Sequence, residues 1–251
     1  MLDYLLAGLD PAVALALLCT SALASFITAA FGIGGGGVML AVLATLLPPL
    51  AIVPVHGVVQ LGSNVGRAVL FFRFMQWPIF AAFLAGSVIG VSLGGMTAVQ
   101  LHPGWLQVAV GVFILWTVLA PPPAFLKRSG AIAGGFSSFL TMFIGGTGPF
   151  VSAYVKAQGY DRHAYVATHA VLMTVQHGLK SLVFGFLGFA FAEWLGFIAA
   201  LVAAGFLGTW AGKHMLARIN EALFKRILNV VLFVLAARLI YAGAMRVWAG
   251  A

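Results

Sequence analysis

The sequence predicts an all-α polytopic membrane protein made of two inverted-topology repeats of about five helical elements each, with a glycine-broken half-membrane helix in each repeat. Composition is the first reason. Of 251 residues, 63% are hydrophobic and 7% charged, against roughly 25% charged in a typical soluble domain. Such a chain cannot cover itself with polar surface, so its natural solvent is a bilayer. Apolar stretches long enough to approach or cross ~30 Å of hydrocarbon follow one another from Ala12 to Trp248. The third reason is a glycine cluster, Gly34–Gly37 within FGIGGGGVML, which returns at 144–149 as IGGTGP.

The first element covers Ala12–Phe31 and ends in the glycine cluster. Val38–Leu47 follows and is stopped by Pro48 and Pro49. A helix of that length rises only ~15 Å, half of a membrane. Pro54–Phe72, Pro78–Val99 and His102–Ala120 come next, and Pro121–Pro123 with Lys127 and Arg128 forms a polar connection. The order then repeats. Ala131–Ile144 leads into the second glycine break, then the short Phe150–Lys156, a turn at Gly159–Asp161, and the elements His163–Gly185, Trp194–Gly212 and Glu221–Trp248.

Sliding one half onto the other gives matches in one order. Ile33-Gly34-Gly35 falls on Ile144-Gly145-Gly146, Gly37 on Gly148, His56 on His169, Asn64 on His177, Arg67 on Lys180 and Trp77 on Trp194. Residues 1–123 and 124–251 therefore read as two repeats of one integrated transmembrane domain.

Charge gives their orientation. In the first half the basic loop residue is Arg73, between the third and fourth elements, and the loop near Gln100 is uncharged. In the second half the third-to-fourth connection holds Glu193, and the basic cluster Lys213, Arg218, Lys225 and Arg226 lies one loop later. If basic loops are cytoplasmic, equivalent elements point opposite ways and each half crosses an odd number of times. Both termini, the first with Asp3 and Asp10, then face outward, although Arg246 at the outer end disagrees. The same parity holds whether the first two elements of each repeat span fully or form a re-entrant hairpin.

Several classes are excluded. The formal charge of +8 is spread over short loops rather than gathered into a patch, so no nucleic-acid partner is expected. Cys19 stands alone, which rules out an intramolecular disulfide or a Cys-based zinc site. The first ten residues carry acids and no Lys or Arg, unlike the basic start of a cleaved signal peptide. No H-E-x-x-H or carboxylate cluster is present, so neither metal nor cofactor is expected. Five acidic residues, none grouped, argue against a membrane-embedded transferase or other enzyme. Gly32, Gly34 and Gly37 satisfy the dinucleotide-turn spacing, yet no acid lies about 20 residues on to hold a ribose.

The glycines fit another role. Gly86, Gly90 and Gly94, and Gly208 and Gly212, are spaced as helix-packing faces. A run of four glycines instead costs helix stability without widening a groove. A helix that begins inside the membrane has N–H groups without acceptors, and its positive dipole end favours an anion. Gly34, Gly35, Gly36 and Gly37, with Gly145, Gly146, Thr147 and Gly148, are thus candidate binding residues, Thr147 adding a hydroxyl. Broken helices at matching places in inverted repeats mark secondary transporters.

Arg67 and Lys180 lie within apolar segments, and nothing between Asp10 and Asp161 is acidic. An intramembrane cation faces a cavity or a partner, or snorkels to the interface. His56 and His169 match in position and offer donors to an anion or a path for a proton. Asn64, Gln176 and His177 add polar lining, while His102, His163 and His214 fall near segment ends. The small-residue faces permit a homodimer without requiring one.

FGIGGGG, the Pro-Pro stop, the Ala51-Ile52-Val53-x-Val55-His56 helix and the second GG-T-GP break together resemble the TauE/SafE family of sulfite exporters over nearly the whole chain. The resemblance implies a permease for sulfite, organosulfonates or related sulfur oxyanions in a prokaryotic inner membrane, driven by protons or another gradient. It departs at Thr147, where the family's Gly-Ile-Gly-Gly-Gly-Pro has glycine. Export of a small sulfur oxyanion is the expected activity. Uptake, or a channel for thiosulfate, sulfoacetate or an organosulfonate, is the alternative.

Overall fold

A computed structural model describes residues 6–31, 34–98, 103–215 and 221–249. Asp3, Gly32, Ile33, Gln100, His102 and Arg218 lie outside the described residues, as do the side chains of Lys213, His214 and Lys225. The described residues form ten α-helices and no strand: α1 (Pro11–Phe31), α2 (Gly35–Leu46), α3 (Pro49–Phe71), α4 (Phe80–Ala98), α5 (Pro103–Leu119), α6 (Gly130–Ile144), α7 (Gly148–Ala157), α8 (Arg162–Phe186), α9 (Phe191–Met215) and α10 (Glu221–Trp248).

Among the described residues, four stretches are long and apolar enough to cross a bilayer: Pro11–Phe31, Trp77–Thr97, Phe191–Gly212 and Arg226–Trp248. The chain is a multi-pass membrane protein. Helices α3 and α8, of 23 and 25 residues, are long enough to span but carry the buried polar residues. Side chains such as Val69, Ile89, Leu207 and Val234 stay exposed, as lipid-facing residues do.

Among the boundaries that differ from the sequence expectation, two starts have a clear local cause. Helix α2 begins at Gly35, not Val38, because Gly34 adopts φ +112° and its carbonyl receives both the Gly37 and Val38 N–H groups. The glycines following the turn are therefore helical. Helix α3 begins at Pro49 rather than Pro54. Pro49 fills the first helical position, where a missing N–H costs nothing. Pro54 sits inside the helix and leaves the Leu50 carbonyl without its usual donor.

Helices pair mainly as α1 with α9, α4 with α6, α3 with α8 and α5 with α10. Exchanging each helix for the one five places away maps this set of pairs onto itself. Glycines set the closest approaches. A Cβ on Gly86 or Gly90 would collide with the carbonyl of Ala131 or Gly135, and one on Gly94 would stand 2.8 Å from the Phe139 oxygen. On the matching pair, Gly208 and Gly212 meet the carbonyls of Ala22 and Phe26. Contact positions rise together along both pairs, so α4 and α6 run parallel, as do α1 and α9. Gly104 against Gly243 and Gly111 against Ala236 make α5 and α10 antiparallel.

The end of α3 meets the start of α8. Rings of Phe74 and His163 lie 5.0 Å apart, and Gln76 N–H donates to Thr168 Oγ1 at 3.1 Å. Arg162 Nη2 reaches the Ala30 carbonyl at 3.2 Å, so α1 finishes at this end too. Arg73, Lys127, Arg128, Lys156, Arg162 and Arg226 gather here by helix direction, whereas Asp10, Glu193 and Arg246 belong to the opposite end.

Candidate functional site

Two helix starts meet in the interior. Gly34 caps the start of α2; Gly145, with φ +83°, ends α6 and Thr147 caps the start of α7. The turn glycines Gly34 and Gly145 hold positive-φ backbone that other residues rarely adopt. A Cβ on Gly34 would stand 2.8 Å from Leu228 Cδ2, and one on Gly145 2.9 Å from Leu40 Cδ1.

Between these starts lies a cavity of about 80 Å³. Since ~10–15 Å³ of such space admits one water, it has room for a small oxyanion. Gly34, Gly36 and Gly37 line it from the first break, and Gly146, Gly148 and Pro149 from the second. Helix α3 contributes His56, Gln60, Asn64 and Arg67, and α8 contributes His169, Met173 and His177. Among the described residues, no carboxylate lines it.

Two histidines hold the breaks in place. His56 Nε2 donates to the Gly36 carbonyl at 3.1 Å, and His169 Nε2 to the Gly148 carbonyl at 3.4 Å. Each ring thus bonds the short helix of its own half from the long helix that follows. Arg67, 3% exposed, does not snorkel to an interface. Its Nη2 donates to Asn64 Oδ1 at 2.6 Å, Asn64 Nδ2 donates to the Gln60 carbonyl at 2.6 Å, and Arg67 Nε has no partner. The guanidinium is oriented by one amide and keeps donor capacity at the cavity.

The remaining candidates support this cavity without lining it. Lys180 Nζ donates to the Gly145 carbonyl at 2.8 Å, and Thr141 Oγ1 donates to the same oxygen at 2.8 Å. The lysine therefore pins the end of α6. The hydroxyl of Thr147 lies 3.0 Å from the Ser137 carbonyl and 3.2 Å from Gln176 Oε1, pointing away from the cavity. Gln176 Nε2 donates to the hydroxyls of Ser137 and Ser138 at 2.9 and 3.1 Å. Gly35 lies against α1, where a Cβ would collide with the Ala24 carbonyl and the Thr28 hydroxyl.

Sequence reasoning missed Gln60, Thr28 and Thr117, all of which line the cavity. Gln60 carried a signal, being a lone polar side chain in an apolar run one turn before Asn64.

A vestibule of about 330 Å³ adjoins the cavity and shares Gly34, Thr117, Pro149 and Leu232 with it. Val118 and Ala120 at the end of α5, Lys156 at the end of α7, and Asn229 near the start of α10 place it at the basic end. On the other side α2 is packed against α5 and α10. There Gln107 Nε2 donates to the Ala44 carbonyl at 3.2 Å, and Leu43 and Val110 are fully buried.

A family model described as "Sulfite exporter TauE/SafE" matches residues 17–239. A protein of Haemophilus influenzae described as a "Probable membrane transporter protein" is 26% identical over 241 residues, covering 90% of this chain and 93% of the relative. No solved structure gives a significant match.

Proposed function

Because the chain belongs to the TauE/SafE sulfite exporter family, we propose that it is a secondary transporter carrying sulfite, or a closely related small sulfur oxyanion, out across the cytoplasmic membrane. The observation that carries this reading is the central cavity: two helix starts and Arg67 converge on it, and no carboxylate balances them. N–H groups at a helix start and a guanidinium both favour an oxyanion, which takes several donors at once. Sulfite is small enough for the volume and rich in acceptor oxygens. A membrane potential negative inside drives one unit of negative charge outward with about 2.3 kcal/mol per 100 mV.

Transport would proceed by alternating access between two inverted repeats. The pairing of helices under exchange of halves, and the opposite directions of α1 and α6 between the two ends, support that arrangement. With the basic end cytoplasmic, the vestibule opens the cavity inward, while α2 packed on α5 and α10 closes the outer side. Swapping the two packings, so that α7 closes on α5 and α10 and α2 withdraws, would turn the opening outward.

The test is efflux of radiolabelled sulfite from proteoliposomes loaded with it, with thiosulfate, sulfate, taurine and sulfoacetate as competitors. Efflux well above that of protein-free vesicles, competed best by sulfite itself, is the expected result. Efflux equal to protein-free vesicles overturns the proposal. Stronger competition by another of these anions transfers it to that anion.

A further inference from the structure

One ionisable side chain of the cavity is left over once the breaks are held and the anion has its donors. His177 is fully buried and lines the cavity, and neither of its ring nitrogens has a hydrogen-bond partner. The other two cavity histidines have their Nε2 atoms committed to the carbonyls of Gly36 and Gly148. His177 instead stands edge-on to His56, with ring centroids 5.7 Å apart and planes at 75°. A buried polar group without a partner is destabilising, and such a group persists at a site that something else completes.

The surroundings say what completes it. The titratable groups within electrostatic reach of His177 are Lys180 and His169 on its own helix and His56 and Arg67 on α3. Two of these are cations, and no carboxylate among the described residues lines the cavity. A proton added to His177 in the empty cavity would put a third like charge beside them. An anion there changes the balance, because imidazolium then offsets a negative charge and becomes a donor at both nitrogens. By linkage the effect is reciprocal: if the anion favours the proton, the proton favours the anion by the same factor.

We infer that His177 is the proton-binding group of the site, taking up one proton as the anion enters the cavity and returning it as the anion leaves. The inference rests on the anion-binding reading above. The proton comes from water on the side to which the cavity is open, adds to the imidazole lone pair, and departs to water on the other side. No bond within the anion changes. His56 and His169, tied to backbone carbonyls, keep the helix starts in position and carry none of the proton traffic.

The experiment is isothermal titration of sulfite into purified full-length protein, wild type and His177→Asn, in two buffers of different ionisation enthalpy between pH 6 and 8. Sulfite's own proton equilibrium contributes equally to both proteins and cancels in the difference. Wild type is expected to take up close to one proton more per bound anion than His177→Asn. Its Kd should fall by about tenfold more per unit of decreasing pH than the variant's, as one linked proton requires.

Equal proton uptake by both proteins overturns the inference and leaves anion binding standing. Absence of sulfite binding to wild type overturns the reading beneath it. Should His177→Asn not bind, ¹⁵N-histidine NMR of wild type decides. Conversion of the His177 ring to imidazolium on adding sulfite supports the inference; an unchanged His177 ring, whether or not His56 or His169 is protonated, overturns it.

Discussion

Replacing Arg67 by Ala is expected to weaken sulfite binding by about thirtyfold or more, without loss of folded protein. Arg67 is the charged side chain that lines the cavity, and its guanidinium touches one neutral amide, Asn64. Truncating one partner of a buried, hydrogen-bonded charge pair costs about 2–5 kcal/mol. At ~1.4 kcal/mol per factor of ten, that is roughly thirtyfold to several thousandfold in Kd. Folding should tolerate the change, because the cation is buried without a carboxylate and its removal relieves desolvation. Arg67→Lys keeps the charge but loses the planar fork, and should fall between the two. Titration calorimetry on the three proteins decides it. Wild-type affinity in Arg67→Ala would remove Arg67 from the site.

A large effect on the fold is expected at Gly90. A Cβ there would collide with the Gly135 carbonyl and stand 2.9 Å from the Phe139 N–H nitrogen, both backbone atoms of α6 that cannot rotate away. Gly90→Leu must therefore push α4 and α6 apart along their whole parallel contact. Overpacking typically costs 1–3 kcal/mol where side chains can adjust, so a backbone collision should exceed that range. The expected result is loss of the monodisperse peak in detergent chromatography. Gly185→Ala is the control: its Cβ would meet nothing nearer than Phe191 Cε2 at 3.9 Å, and the helix gains the ~1 kcal/mol by which Ala exceeds Gly. Normal elution of Gly90→Leu would contradict the close approach of α4 and α6.

The helical membrane class was legible because composition leaves no alternative, and the breaks because four glycines in a row serve no continuous helix. His56, Asn64, Arg67, His169 and His177 stood out as polar residues in apolar runs, and the structure brings all five to one cavity. Distinguishing a side chain that faces the cavity from one that supports its walls was beyond the sequence. Lys180 and Arg67 hold matching places, yet one faces the Gly145 carbonyl and the other the cavity. That choice depends on which backbone atom of another helix lies within reach. Thr147 and Gln176 turn toward Ser137 for the same reason. Gly35 looked like a ligand-facing glycine but is a packing glycine, because α1 crosses directly over it. The vestibule was equally hidden, being assembled from the ends of α5, α7 and α10, which are far apart in the chain.

The central claim is that an oxyanion sits between the two helix starts. Selenite has the shape and charge of sulfite, and its selenium scatters anomalously. Crystals of the protein soaked with selenite should show an anomalous peak in the cavity, beside Arg67 and between Gly36 and Gly148. A peak confined to the vestibule or the protein surface, with the cavity empty, would contradict the account.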